Sequence, residues 1–123
     1  MLSAVPKQYL ELDGRPMIIR TLERLAGCPS VDSLLIGVDQ QREEWRSLAY
    51  TDNKLSATVA PGAERADTVA NCIQYICEQG GENDWALVHD AARPCVRVAD
   101  IEKLVHSVVD RSDGGILAVP LGD

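Results

Sequence analysis

Several things are scarce in this 123-residue chain. No apolar run approaches the ~20 residues that a membrane-crossing helix needs. The opening, MLSAVPKQYLELDG, is polar and broken by Pro6, unlike a secretion signal. Together these put the expected location in the cytoplasm, with no membrane partner. Base is scarce relative to acid: 12 Lys and Arg against 19 Asp and Glu leave a net charge of −7. That balance argues against general binding to nucleic acid or to an anionic membrane. An anionic ligand would need a local cluster of cations and backbone amides. Cys28, Cys72, Cys77 and Cys95 show no CxxC spacing, and no paired histidines accompany them. Free, largely buried thiols are therefore expected rather than a metal site. Nothing divides the chain: there is no internal repeat, low-complexity tract or linker, so 1–123 reads as one domain.

What is present is a regular exchange of two hydrophobic periods. PMIIRTLERLAG places Ile18, Leu22 and Leu25 on one helical face, with Pro16 suited to the first turn. Residues 33–39 form a short apolar run of strand type, 43–49 a short helix and 55–59 a weaker strand. After APGAER comes a helix with Val69, Ile73 and Ile76 on one face, ended by Gly80–Gly81. Residues 85–89 (WALVH) predict another strand. Asp100 is placed to cap a helix whose buried stripe is Ile101, Leu104, Val105 and Val108. Residues 115–120 (GILAVP) predict a last strand. This alternation predicts an α/β fold: a Rossmann-like, mostly parallel sheet with helices on both faces.

Both ends are unusual for such a fold. A doubly wound sheet usually opens with a strand that becomes central, whereas this chain opens with a polar loop and stops directly after a strand. The domain is thus expected to be incomplete. A missing central strand would leave buried strand edges unpaired, so the isolated chain is expected to fold poorly, dimerise wrongly or aggregate.

Open α/β sheets bind ligands outside the carboxyl ends of their strands. Three segments fall there: VPKQYL (5–10), APGAERADTV (60–69) and VHDAARP (88–94). Each has a plain structural reading beside a functional one. Lys7 is a loop cation, solvated unless it has company. Gly62 lets backbone approach a ligand closely, and the amides opening the next helix favour anions; equally, this is a strand-to-helix turn in which Glu64 or Asp67 complements the helix dipole. Asp90 follows an apolar run and is suited to Mg²⁺, a hard cation that takes one or two carboxylates plus phosphate oxygens. Ala91 and Ala92 leave room for a sugar or base, and Arg93 offers a planar fork. Alternatively, Asp90 caps a turn and pairs with Arg93. His89 and His106 read as satisfied, semi-buried residues.

Taken in order, PKQYL, a Gly62-x-x-Arg65-x-x-Thr68-Val69 turn and VHDAARP resemble the 2-C-methyl-D-erythritol 4-phosphate cytidylyltransferase family along essentially the whole chain, including GGILAVP. The resemblance implies a nucleotide-diphospho-sugar transferase type of fold and transfer of CMP from CTP to the polyol phosphate with release of pyrophosphate, for isoprenoid precursors. It implies that Lys7 contacts the triphosphate and stabilises charge on the α-phosphate, that Asp90 binds Mg²⁺, that Gly62 and Thr68 face the cytosine, and that Ala91 lines the ribose. Arg65 and Arg93 would organise the loops, and the enzyme would be a homodimer. The pattern departs at Pro61–Gly62, where the family has Gly-Gly, and at Thr68, where it has Ser. The family's Gly-rich phosphate loop would precede PKQYL, with Met1 at its last position. Alternatives are a cytidylyltransferase for another polyol phosphate, such as ribitol 5-phosphate, and a non-catalytic nucleotide-binding remnant.

Overall fold

Apolar spacing and three tight turns account for most of the architecture. The structure, a computed structural model, describes residues 5–111 and 113–122. Lys7–Tyr9 makes one 3-10 turn, closed by the Tyr9 N–H on the Pro6 carbonyl at 2.9 Å. It buries Tyr9 and leaves Lys7 exposed. A hairpin follows, β1 (Glu11–Leu12) antiparallel to β2 (Arg15–Pro16). Its two-residue turn is Asp13–Gly14, with φ of 54° and 83°. Positive φ at both positions is the I′ geometry that suits strand twist, and Asp-Gly is a favoured pair for it. Arg20 ties the hairpin down, donating to the Asp13 carbonyl at 2.7 Å.

Helix α1 (Met17–Ala26) takes Pro16 as its N-cap rather than into its first turn, and buries Ile18, Ile19, Thr21 and Leu22. Burying an Ile or Leu side chain fully stabilises by roughly 1.5–3 kcal/mol, so this face anchors the core. Strand β3 (Leu34–Gly37), helix α2 (Glu43–Leu48) and strand β4 (Leu55–Val59) then form one crossover. The two strands are parallel, pairing Leu35 with Ala57 and Gly37 with Val59, with an irregularity between Leu34 and Leu35. Side chains alternate across β3. Leu34, Ile36 and Val38 join the core with α1, while Gly37 faces helix α3 (Arg65–Glu78) on the other side. Helices thus cover both faces, as expected.

Gly37 is required by that packing: a Cβ there would lie 2.3 Å from Thr68 Cγ2. Helix α3 ends as predicted. Gly80, at φ 87°, lets its own N–H reach the Cys77 carbonyl at 3.0 Å and the Gly81 N–H reach that of Ile76 at 2.9 Å. Helix α4 (Val98–Val108) begins earlier than the sequence suggests. Arg97, not Asp100, is the N-cap; Asp100 sits in the first turn and pairs with Arg97 at 3.0 Å. The backbone is already helical beyond Arg97, so the carboxylate acts through charge near the positive helix end.

Two predicted strands do not form. Residues 85–89 and 115–120 enter no ladder among the described residues. Trp85, Leu87 and Val88 are exposed, and Ile116 and Val119 are 84% and 85% exposed. A strand is defined by its neighbour, and neither segment pairs its backbone with another described one. The cysteines also differ from expectation: all four are free, but only Cys28 is buried, and Cys77 and Cys95 are exposed. Among the described residues, no helix is long and apolar enough to cross a membrane.

Candidate functional site

Three loops carry the residues singled out in the sequence, and each is shaped locally before it can serve a ligand. The first is the Lys7–Tyr9 turn. Tyr9 is buried, with the Arg42 guanidinium carbon 5.9 Å from its ring centre. Arg42 belongs to the loop after β3, so this contact sets the turn beside the carboxyl end of that strand. Burial pushes the Tyr9 phenol up from its usual range, against the opposing pull of Arg42. Lys7 itself is exposed, with no side-chain partner among the described residues.

The second loop joins β4 to α3. Gly62 donates its N–H to Thr68 Oγ1 at 2.9 Å, and that hydroxyl faces the Glu64 carbonyl at 3.3 Å. A Cβ on Gly62 would lie 2.2 Å from Asp67 Cβ, so only glycine lets the loop fold back on its helix. Glu64 and Asp67 form a reciprocal capping box, with the Glu64 N–H donating to Asp67 Oδ2 at 3.1 Å. The two residues that the family resemblance places at the base are therefore bonded to each other, and the dipole reading of Glu64 and Asp67 holds as well. Arg65 opens α3 and is exposed.

The third loop is His89–Arg93. Asp90 Oδ1 accepts from the Ala92 N–H at 3.0 Å, and the Asp90 carbonyl accepts from the Arg93 N–H at 3.1 Å. Asp90 Oδ2 faces Arg93 Nε at 3.7 Å, and the Arg93 side chain is largely exposed. His89 Nε2 lies 2.8 Å from the Arg93 carbonyl, which requires that nitrogen to carry the proton. His89 is thus satisfied and half-buried, as read from the sequence, whereas His106 donates to the Glu102 carbonyl from an exposed position. The turn and the ion pair form as the plain reading of Asp90 expects. They leave its carboxylate partly exposed, with acceptor capacity to spare.

Among the described residues no group of three His, Cys, Asp or Glu could hold a metal ion. A cage built by protein alone is therefore not available there. A cation brought in with phosphate, needing one carboxylate, fits Asp90. The Gly62–Thr68 bond stays within the second loop, and the Asp90 contacts to Ala92 and Arg93 stay within the third. An open groove of about 410 Å³ lies between α1 and Pro94–Cys95, at the end of the third segment, and another of about 510 Å³ lies between Arg15 and Tyr50.

Two networks escaped the sequence reading. Thr21, buried in α1, donates to the Ala91 carbonyl at 2.8 Å. On α4, Glu102 accepts from Cys28 Sγ at 2.9 Å and from the Ser30 N–H at 2.8 Å, with the Ser30 hydroxyl on its other oxygen. Those donors, Cys28 first, pull the Glu102 carboxyl down to about 2. Burial and the Glu102 contact push the Cys28 thiol up. No spacing rule links residues so far apart in sequence.

The parallel pair, its covering helices and loops gathered after the strands define an α/β domain of the nucleotide-diphospho-sugar transferase type. The chain belongs to the family described as IspD: 2-C-methyl-D-erythritol 4-phosphate cytidylyltransferase, which it matches over residues 1–123. It is 38% identical over 118 residues to the protein of that name from Vibrio atlanticus (strain LGP32), covering 96% of this chain and 50% of that one. The namesake from Photobacterium profundum is 40% identical, with 96% and 49% covered. A crystal structure of 4-diphosphocytidyl-2C-methyl-D-erythritol synthase overlays with a TM-score of 0.87 at 30% identity, covering 96% of this chain and 57% of that one. The chain spans about half the length of the curated relatives it matches.

Proposed function

We propose that this chain carries the CTP-binding part of a cytidylyltransferase that transfers CMP to 2-C-methyl-D-erythritol 4-phosphate and releases pyrophosphate. The observation that carries the reading is the membership over residues 1–123, joined to an exposed Lys7 and a partly exposed Asp90 carboxylate. In the reaction a phosphate oxygen of the polyol substrate bonds to the α-phosphorus of CTP as the bond to pyrophosphate breaks. The protein's part is positioning and charge stabilisation. Lys7, exposed and without a side-chain partner among the described residues, contacts the triphosphate and stabilises charge on the α-phosphate. Gly62 lies against the cytosine, and Thr68 holds the Gly62 backbone in place for it. Ala91 lines the ribose. Arg65 and Arg93 order the two loops. Asp90 would hold Mg²⁺, which when bound neutralises charge on the phosphate oxygens. The working enzyme is a cytoplasmic homodimer.

The test is calorimetric titration of CTP into the chain with and without Mg²⁺, followed by pyrophosphate release in the presence of the polyol phosphate. Magnesium-dependent binding with preference for CTP is expected; no CTP binding at millimolar Mg²⁺ and no pyrophosphate release removes the proposal. In the full-length protein, Lys7→Ala should slow turnover by about 3 kcal/mol of transition-state stabilisation, and near-normal turnover removes Lys7 from the mechanism. Asp90→Asn should weaken the magnesium dependence, so an unchanged magnesium titration rules Asp90 out.

A further inference from the structure

Thr21 is the buried polar residue among the described residues, 1% exposed, on the face of α1 that also carries Ile18 and Leu22. Valine has nearly the same shape, and a buried hydroxyl is costly unless it is bonded. This hydroxyl has one proton and two carbonyls in reach: Ala91 at 2.8 Å and Met17, one turn back on the helix, at 3.1 Å. Bonding back to the helix is the common fate of a helical threonine. Here the shorter contact is the one that reaches 70 residues along the chain.

The far end of that bond matters more. The His89–Arg93 turn closes on itself through the Ala92 and Arg93 amides and the His89 ring, as described above. Those bonds fix its shape, but not its place on the domain. The turn's own Ala92 and Arg93 amides are spent on Asp90 and leave the Ala91 carbonyl to Thr21. Ala91 packs against the core cluster, but a methyl group has little directional hold. The Thr21 hydroxyl is the polar link that fixes the turn to α1.

We propose that Thr21 is a positioning residue for the nucleotide: through the Ala91 carbonyl it sets where Asp90, Ala91 and Ala92 stand. This rests on the CTP reading above. Removing the hydroxyl while keeping the volume leaves the turn folded but loosely placed, and the ligand must then order it.

The experiment compares Thr21→Val and Thr21→Ser by titration with CTP and Mg²⁺, alongside hydrogen exchange across residues 89–93. Thr21→Val should weaken CTP by about tenfold, the scale of one lost buried hydrogen bond, and speed exchange in the turn. Thr21→Ser, which keeps the hydroxyl, should restore both. If Thr21→Val unfolds, the Thr21→Ala and Thr21→Ser pair isolates the hydroxyl at near-equal volume. Wild-type affinity in a folded variant lacking the hydroxyl overturns the proposal while leaving the CTP reading intact. A purely structural Thr21 lowers Tm alone, which overturns it too. Absence of CTP binding by the wild type sinks the CTP reading and the nucleotide role of Thr21 with it; the exchange data then show whether the anchor exists.

Discussion

Residues 9–38 and residues 85–121 both carry apolar runs, and they end in opposite states. The first stretch supplies every member of the buried core except Ile101, from Tyr9 through α1 and β3 to Val38. In the second, Trp85, Leu87, Val88, Ile116, Leu117, Val119 and Leu121 face solvent. Hydrophobicity does not separate them, because each reads as buried from its sequence. The difference is neighbours. Strand β3 has β4 along one edge and helices on both faces, whereas 85–89 and 115–120 have no ladder among the described residues. Burial of apolar side chains therefore follows satisfaction of the backbone rather than replacing it.

The sharpest way to break this contrast is truncation in the core. Ile18→Ala should cost about 2–5 kcal/mol by urea denaturation, because Ile18 is 2% exposed and leaves a cavity. A cost under about 1 kcal/mol would mean the first stretch is no better packed than the second. Next is close approach. Gly37→Ala should cost about 1–3 kcal/mol through the clash with Thr68 Cγ2. Adding Thr68→Ser removes that methyl while keeping a hydroxyl for Gly62, and should recover most of the loss. Failure to recover would place the strain elsewhere.

The two stretches are also stapled by Glu102, whose partners Cys28 and Ser30 follow α1. Its carboxyl is held down at about 2, below the ordinary 4.5. A depressed acid contributes stability that is full above the ordinary value and fades as pH falls towards 2. Thermal unfolding followed from neutral pH down to the depressed value should show this loss, and Glu102→Gln should flatten that part of the profile. An identical slope in the variant would remove Glu102 as its source. A smaller effect has the opposite sign. Ala49 ends α2 at φ 46°, ψ 42°, where a Cβ is disfavoured, so Ala49→Gly should gain about 0.5–1 kcal/mol. Smallest of all, Ile116→Ala and Val119→Ala should stay within about 0.5 kcal/mol of the parent. A larger loss would show that the second stretch is packed in solution after all.

Much of the fold was legible because the elements that formed carry strong periods and explicit stops. Ile18 and Leu22 repeat at helical spacing, Leu34 and Ile36 alternate, and Gly80–Gly81 punctuate α3. The hairpin at Asp13–Gly14 was missed although its Asp-Gly pair signals it, since flanking strands of two residues show no alternation. The start of α4 was misplaced because Asp100 satisfies a capping rule that Arg97 does not. Within the candidate site the motif residues were readable, but their bonds were not: neither the Gly62–Thr68 bond nor the Thr21–Ala91 bond has a sequence signature.

By itself, then, the sequence determined the alternation of helix and strand, the turns that need glycine at Gly62 and Gly80, and the family to which the loops belong. These depend on local sterics and on residue identity, which a linear string contains. Only the tertiary structure decided which apolar runs became strands, which cysteine was buried and how Thr21 and Glu102 tie distant segments together. Each of those depends on what lies alongside, and a neighbour far along the chain leaves no mark on the residues it will meet.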